Sequence, residues 1–143
     1  MPPKSKLKML KSGDHYERTF SITQEQINQF AELSGDKNPL HIDPEYAANS
    51  PFGKPIVHGV LTISIFSQII GMEFPGAGTI YLGQDLNFRR PVFPDHEYRA
   101  ELEVTEVMEG KHIASIQTRI YDKETNKIVL DGFAKVKNKE RIG

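Results

Sequence analysis

The chain has 143 residues, with 18 lysines and arginines against 19 aspartates and glutamates, a formal net charge of -1 and 38% hydrophobic residues. This length predicts one compact domain, and the balanced charge argues against nucleic-acid or anionic-membrane partners. The sequence contains no cysteine. Disulfides, thiolate metal sites and a cysteine nucleophile are therefore excluded, and chemistry must rest on histidines, carboxylates and hydroxyls.

The N-terminal segment, MPPKSKLKMLKSG, carries four lysines and no acidic residue. No apolar run of signal-peptide length follows it, so we predict a flexible basic leader over residues 1–10. An organelle presequence is the alternative, although such segments favour arginine, which is absent here. The longest apolar stretch, residues 56–72, is too short and too polar to cross a bilayer. We expect a cytoplasmic protein with one domain over residues 11–138 and a solvated tail over residues 139–143.

The first helix is predicted to begin after Thr23, because Thr23 and Gln26 have the spacing of a capping box. Gly35 is the predicted stop of this helix. The segment Asp36–Pro39 then predicts a turn, since its proline cannot continue a helix. A second, short helix is predicted after Asp43, which is followed directly by a proline.

A third segment, from Gly59 to Ile70, is apolar on nearly every face. Periodicity does not separate a buried helix from a buried strand here, but the length favours a helix that is closed by Gly71. Such a helix must be enclosed by other structure. After Thr79, apolar and polar residues alternate in several runs with short connections, which predicts antiparallel strands. The prediction is an α+β domain in which four to six strands curve around the apolar helix.

Asp36 and His41 form the densest group of reactive side chains, five residues apart across a proline-containing turn. Such a turn can bring both side chains to one point, where a carboxylate and an imidazole form a general acid–base pair. The alternative is a turn-forming aspartate and a loop histidine with structural partners, and the spacing alone favours that alternative. A metal site built on His41 and Asp43 lacks a third ligand at a recognisable spacing.

His58 and Gly59 lead directly into the predicted apolar helix. The first N–H groups of a helix have no intrahelical partner, so a buried start at Gly59 can stabilise negative charge on a ligand carbonyl. The alternative is that Gly59 only permits a tight turn into the helix. His58 is predicted to be a structural histidine with satisfied hydrogen bonds. Ser67 either bonds the carbonyl four residues earlier or holds a catalytic side chain.

Four segments together resemble a known motif: FAELSGDKNPLHID at residues 30–43, FGKPIVHG at 52–59, YLGQDLNF at 81–88 and RPV at 90–92. They are similar to the hydratase 2 motif of the MaoC-like family, the (R)-specific enoyl-CoA hydratases. The resemblance covers about residues 17–137. It implies a hot-dog fold, with a curved antiparallel sheet around a long apolar central helix, and a homodimer or higher homo-oligomer. It is closest to the short, single-domain hydratases that feed polyhydroxyalkanoate synthesis.

The resemblance also implies roles for individual residues. Asp36 and His41 would activate the water and manage the proton added at the α-carbon of an acyl-CoA thioester. Gly59 would donate its backbone N–H to the thioester carbonyl. Asn38 would help to place the water, and Ser67 would orient the aspartate. Neither a metal nor a cofactor is implied.

The implied reaction is the reversible hydration of trans-2-enoyl-CoA to (R)-3-hydroxyacyl-CoA. A competing hypothesis is a 3-hydroxyacyl-ACP dehydratase of fatty-acid synthesis, in which the basic leader or Arg89 and Arg90 dock the acidic acyl carrier protein. A hot-dog acyl-CoA thioesterase would instead release free thiol from acyl-CoA. A non-catalytic acyl-CoA binder would bind the thioester tightly without hydrating it.

Overall fold

The computed structural model describes residues 8–143, so the predicted basic leader over residues 1–10 lies mostly outside the described residues. The helices and strands follow one another as β1 (His15–Phe20), α1 (Gln24–Ser34), α2 (Pro39–Ile42), α3 (Pro44–Ala48), α4 (Gly59–Met72), β2 (Ile80–Phe88), β3 (Tyr98–Met108), β4 (Ile113–Asp122) and β5 (Ile128–Lys137). Within the described range, no helix combines the length and apolarity needed to span a bilayer.

Helix α1 begins and ends where its local signals predict. The Thr23 side chain accepts a hydrogen bond from the Gln26 N–H at 3.1 Å, and the Gln26 side chain accepts one from the Thr23 N–H at 2.9 Å. This reciprocal pair is a capping box. Gly35 ends the helix in the left-handed conformation, with φ of 81°. Asp36 therefore follows directly after the turn that ends the helix.

A short helix, α2, follows where the sequence predicts only a turn. Asn38 caps it, because its side-chain oxygen accepts a hydrogen bond from the Leu40 N–H at 3.1 Å, and a proline occupies the first turn. His41 therefore lies in a helix and not in a loop. The predicted short helix after Asp43 is confirmed as α3, with the Asp43 carboxylate accepting from two backbone N–H groups at 3.0 and 3.2 Å.

All five strands join in one antiparallel sheet, in the order β1-β3-β4-β5-β2. This agrees with the predicted α+β domain of four to six strands. Strand β3 shows the expected alternation, with buried residues at Tyr98, Ala100, Leu102 and Val104. Strand β1 was not predicted. Its side chains are mostly polar, and it is held by pairing with β3, a long-range contact that local sequence does not reveal.

One face of helix α4 packs into the hydrophobic core, together with the buried residues of the sheet. The buried face comprises Thr62, Ile65, Phe66, Ile69 and Ile70. The helix continues through Gly71, the predicted stop, and ends at Met72. The expectation that this helix is enclosed on every side is only half right. Within one chain, Val60 and Met72 remain 65% and 71% exposed, because the sheet is open and covers one face of the helix.

The prediction of a solvated tail over residues 139–143 is wrong, because part of this segment packs against the rest of the domain. Ile142 is fully buried, and it pairs with Leu10 in a parallel bridge. The Arg141 side chain donates to the carbonyl oxygens of Lys8 at 2.7 Å and of Pro75 at 2.6 Å. A single apolar residue among charged neighbours has no periodicity, so the sequence pattern does not reveal this packing.

Candidate active site

The site is organised around the segment 56–59, which leads into α4. The His41 ring is 9% exposed, and its Nδ1 lies 2.8 Å from the carbonyl oxygen of Ile56. Because a carbonyl only accepts, Nδ1 is the donor, and the lone pair of the neutral ring is on Nε2. The Ile56 N–H donates in turn to the Leu40 carbonyl at 3.3 Å. These two bonds fix the ring and leave Nε2 available to a reacting water.

Asp36 lies at the surface, directly after the end of α1. Its carboxylate accepts a hydrogen bond from the Asn38 N–H at 3.3 Å, and its backbone carbonyl accepts one from His58 Nε2 at 3.0 Å. One carboxylate oxygen of Asp36 and one ring nitrogen each of His41 and His58 lie within 4.8 Å of one another. The fold therefore brings together the carboxylate and the imidazole that the sequence analysis singled out.

One carboxylate and two imidazoles are also a donor set that can hold a metal ion. The His41 and His58 rings have centroids 4.0 Å apart and planes inclined by 30°. Each ring donates one N–H to a backbone carbonyl, which leaves one nitrogen of each neutral ring as an acceptor. The Asp43 carboxylate is not part of this cluster, since it caps α3. The same arrangement suits hydrogen bonding and proton transfer.

His58 differs in one atom from the satisfied structural histidine that the sequence predicts. The residue is 1% exposed, and its ring packs edge-on against Phe30 with centroids 4.9 Å apart. Its Nε2 donates to the Asp36 carbonyl, but its buried Nδ1 has no hydrogen-bond partner among the described residues. Buried polar atoms are rarely left unpaired, so this atom needs an explanation.

Gly59 is the first residue of α4, and the His58 side chain does not cap the helix. The N–H groups of the first turn therefore carry the positive end of the helix dipole without an intrahelical partner. Gly59 and His41 both line a groove of about 360 Å³, together with Thr62, Phe88 and Arg90 among others. The groove thus combines a proton acceptor with a helix start that can stabilise an oxyanion.

The two expected supporting residues, Asn38 and Ser67, are placed differently. Asn38 lies between Asp36 and His41, but its side-chain oxygen is committed to capping α2. Ser67 is exposed on α4, about two turns beyond Gly59. Among residues 8–143, no hydrogen bond joins Ser67 to Asp36. A single chain therefore does not bring Ser67 to the aspartate that it was expected to orient.

A second cavity, of about 560 Å³, lies between β1, α1 and α4 and is lined by Phe20, Phe30, Leu61 and Ile65 among others. It contains none of Asp36, His41 and Gly59, but its Phe30 contacts the His58 ring. Sequence analysis missed Phe30 and Ile56 as parts of the site. Ile56 acts through its backbone carbonyl, so its side-chain type carries no signal.

The architecture and the site define a class: a hot-dog protein in which a carboxylate and an imidazole lie close together near an uncapped helix start. Residues 9–127 match the MaoC like domain family. The chain belongs to this family.

Several relatives share most of their length with the chain. An (R)-specific enoyl-CoA hydratase of Aeromonas caviae is 52% identical over 96 residues, which are 67% of this chain and 72% of that protein. A mitochondrial 3-hydroxyacyl-[acyl-carrier-protein] dehydratase of Arabidopsis thaliana is 38% identical over 128 residues, which are 88% of this chain and 76% of that protein.

Solved structures agree with the expected fold. An (R)-hydratase from A. caviae, described as involved in PHA biosynthesis, superposes with a TM-score of 0.86 at 44% identity, covering 90% of this chain and 96% of that one. An R-hydratase from Pseudomonas aeruginosa superposes with a TM-score of 0.83 at 40% identity, covering 94% and 83%. The hot-dog fold is thereby confirmed.

Proposed function

We propose that this chain is an (R)-specific enoyl-CoA hydratase, a hydro-lyase that adds water reversibly to trans-2-enoyl-CoA and forms (R)-3-hydroxyacyl-CoA. One observation carries the proposal: the Asp36 carboxylate and the His41 ring lie within 4.8 Å of each other, and His41 shares its groove with the uncapped start of α4 at Gly59. The hydratase names of the relatives support the same reaction.

The reaction needs three groups, and the site offers each of them. Asp36 and His41 hold the water and take a proton from it as its oxygen bonds to C3 of the enoyl group. The pair delivers a proton to C2, so that the sum is the addition of one water molecule. Negative charge develops on the thioester oxygen during this step, and the Gly59 N–H stabilises it at the helix start. Asn38 and Ser67 remain proposed supporting residues for the water and the aspartate.

The test replaces each member of the pair. Asp36→Asn and His41→Ala should each lower kcat on crotonyl-CoA by about 10²–10⁴-fold, because each removes one proton-transfer group. Glu25→Gln, at an exposed acid on α1, and His15→Ala, at an exposed histidine on β1, are the matched controls and should retain activity. Near-normal turnover in both site variants contradicts the proposal. An (S)-specific 3-hydroxyacyl-CoA dehydrogenase should fail to consume the product.

An acyl carrier protein is the second candidate carrier. Arg90 is exposed at the groove that holds His41, next to Arg89, which pairs with Asp131 at 3.0 Å. The Arabidopsis relative is named for the carrier-protein substrate. Comparison of kcat/KM on crotonyl-CoA and crotonyl-ACP decides between the carriers. Release of free thiol from saturated acyl-CoA, with no hydration of the enoyl substrate, would favour a thioesterase instead.

We also propose that the chain acts as a homodimer or a higher homo-oligomer. The exposed apolar side chains include two at the opposite ends of α4 and three on the edge strand β2: Val60, Met72, Ile80, Tyr81 and Leu82. An uncovered edge strand and exposed apolar side chains are features that a second copy can cover. Light scattering should give at least a dimer for the wild type and a smaller species for Ile80→Glu. Leu33→Glu, at a residue 86% exposed on α1, is the control. A monomeric wild type contradicts the proposal.

The product of the proposed reaction is a building block for polyhydroxyalkanoate, and we propose this supply as the physiological role. The similar (R)-hydratase from A. caviae is named as involved in PHA biosynthesis. Co-expression with a polyhydroxyalkanoate synthase in a host that lacks its own hydratase should produce polymer. Absence of polymer with active enzyme present would contradict the role, and rates on enoyl-CoA substrates of increasing length would show which monomers are supplied.

A further inference from the structure

We propose that His58 is a positioning residue, which holds the Asp36 carboxylate beside His41 by donating a hydrogen bond to the Asp36 backbone carbonyl. This inference rests on the proposed hydratase function of the same site. His58 itself does not exchange a proton with the substrate in this proposal. Its role is to connect the loop that carries Asp36 to the start of α4.

The loop at residues 35–38 has few anchors of its own. Its other described hydrogen bonds are local: four are donated by the backbone N–H groups of residues 35–38 to acceptors no more than four residues away, and Asn38 accepts two from the Leu40 and His41 N–H groups of α2. The Lys37 ion pair with Glu32 is also local and exposed. Only the 3.0 Å bond from His58, 22 residues away, joins this loop to α4 within the described part of the chain. Loss of this bond would release the Asp36 backbone from the start of α4.

The segment 56–59 thereby fixes all three reacting groups at once. Ile56 holds the His41 ring through its carbonyl, His58 holds the Asp36 backbone, and Gly59 presents the first N–H of α4. Consecutive Cα atoms are about 3.8 Å apart, so these anchors cannot move far relative to one another. The distance between the acid–base pair and the oxyanion donor is thus set by one short stretch of backbone.

The unpaired Nδ1 of His58 supports this role. A buried acceptor without a partner costs free energy, and a phenylalanine ring would pack against Phe30 and His41 without that cost. Packing alone therefore does not explain a histidine at this position. The donor at Nε2 does, because it is the atom that reaches the Asp36 carbonyl.

The test compares His58→Phe, which keeps a flat ring and loses the donor, with His58→Gln, which keeps a side-chain N–H donor. In His58→Phe, kcat on crotonyl-CoA should fall about 10²-fold, the cost of a misplacement of about 1 Å, with KM nearly unchanged. His58→Gln should recover most of that loss. Amide hydrogen exchange at residues 35–38 should be faster in His58→Phe than in the wild type or His58→Gln.

Two results would overturn the proposal. Wild-type kcat and wild-type exchange in His58→Phe would show that the hydrogen bond is not needed. Equal loss of kcat in both variants, with wild-type exchange at residues 35–38, would show that His58 transfers a proton itself, since glutamine cannot. His58→Met replaces His58→Phe if the latter does not fold. If the wild type does not hydrate crotonyl-CoA, the proposed function fails, while the exchange measurement still decides whether His58 holds the loop.

Discussion

Alanine at position 59 places one methyl group at the start of α4, where the thioester oxygen is proposed to bind. The Cα–Cβ bond of a helical residue tilts toward the N-terminus of the helix, so this methyl group points toward the bound oxygen. A Cβ atom built on Gly59 lies 2.9 Å from the Cε1 and Cζ atoms of Phe88. Because Phe88 is 55% exposed, its ring can swing aside without a backbone shift.

The expected effects on stability and on catalysis differ widely in size. Alanine is favoured over glycine in a helix by up to about 1 kcal/mol, and displacement of the Phe88 ring offsets part of this gain. The melting temperature of Gly59→Ala should therefore change by no more than about 4 °C. Blocking the oxyanion position should lower kcat about 10²–10³-fold, the cost of losing one donor of about 3–4 kcal/mol.

The assay measures crotonyl-CoA hydration and thermal unfolding on the same preparations. Gly71→Ala is the matched control, because it lies in the same helix and its added Cβ would meet no atom outside the adjacent helix backbone within 4 Å. It should retain full activity. The double variant Gly59→Ala/Phe88→Ala separates obstruction by the methyl group from obstruction by the displaced ring. Activity of Gly59→Ala within twofold of the wild type would refute the close approach of the thioester to this helix start.

Ile142→Ala should lower the free energy of unfolding by about 2–4 kcal/mol in urea titrations, because it leaves a cavity in the core; an unchanged midpoint would contradict this packing. Partial burial alone would raise the pKa of Asp122. Hydrogen bonds from His96 and from two backbone N–H groups outweigh this effect, so the pKa is lowered overall. Asp122→Asn should therefore reduce stability at neutral pH, and the difference should vanish as pH falls through the lowered pKa. Tyr81 is 37% exposed, and the burial of the rest of its side chain raises its pKa to about 12. In an absorbance titration, Tyr81→Phe should remove the tyrosine that ionises at this raised pKa. Removal of a tyrosine that ionises at the usual tyrosine pKa would contradict the prediction.

Signals that act within a few residues were sufficient to predict several helix boundaries. The Thr23 capping box, the left-handed Gly35 and the cap at Asp43 all involve partners no more than four residues away. Their geometry depends on the local chain, so the sequence alone predicts where α1 begins and ends and where α3 begins. Residue alternation likewise predicted strands β3, β4 and β5, because buried and less buried residues alternate along most of each of them.

Features that depend on distant partners needed the tertiary structure. Strand β1 is recognisable only when β3 lies beside it, and Ile142 is buried only because the chain returns to the core. α4 is apolar along its length, but the open sheet decides which of its faces is covered. A periodic pattern states how apolar an element is, and it does not state what packs against it.

The candidate site divides in the same way. The residue types and spacing of Asp36, His41 and Gly59, together with the resemblance to the MaoC-like family, were sufficient to predict from the sequence alone the groups that we propose to react. The sequence did not show that His58 donates to the Asp36 carbonyl across 22 residues, or that His41 is held by the carbonyl of Ile56. The chemical reactivity of a residue depends on its side-chain type, which is known from the sequence. Position is set by hydrogen bonds between segments that meet only in the folded chain.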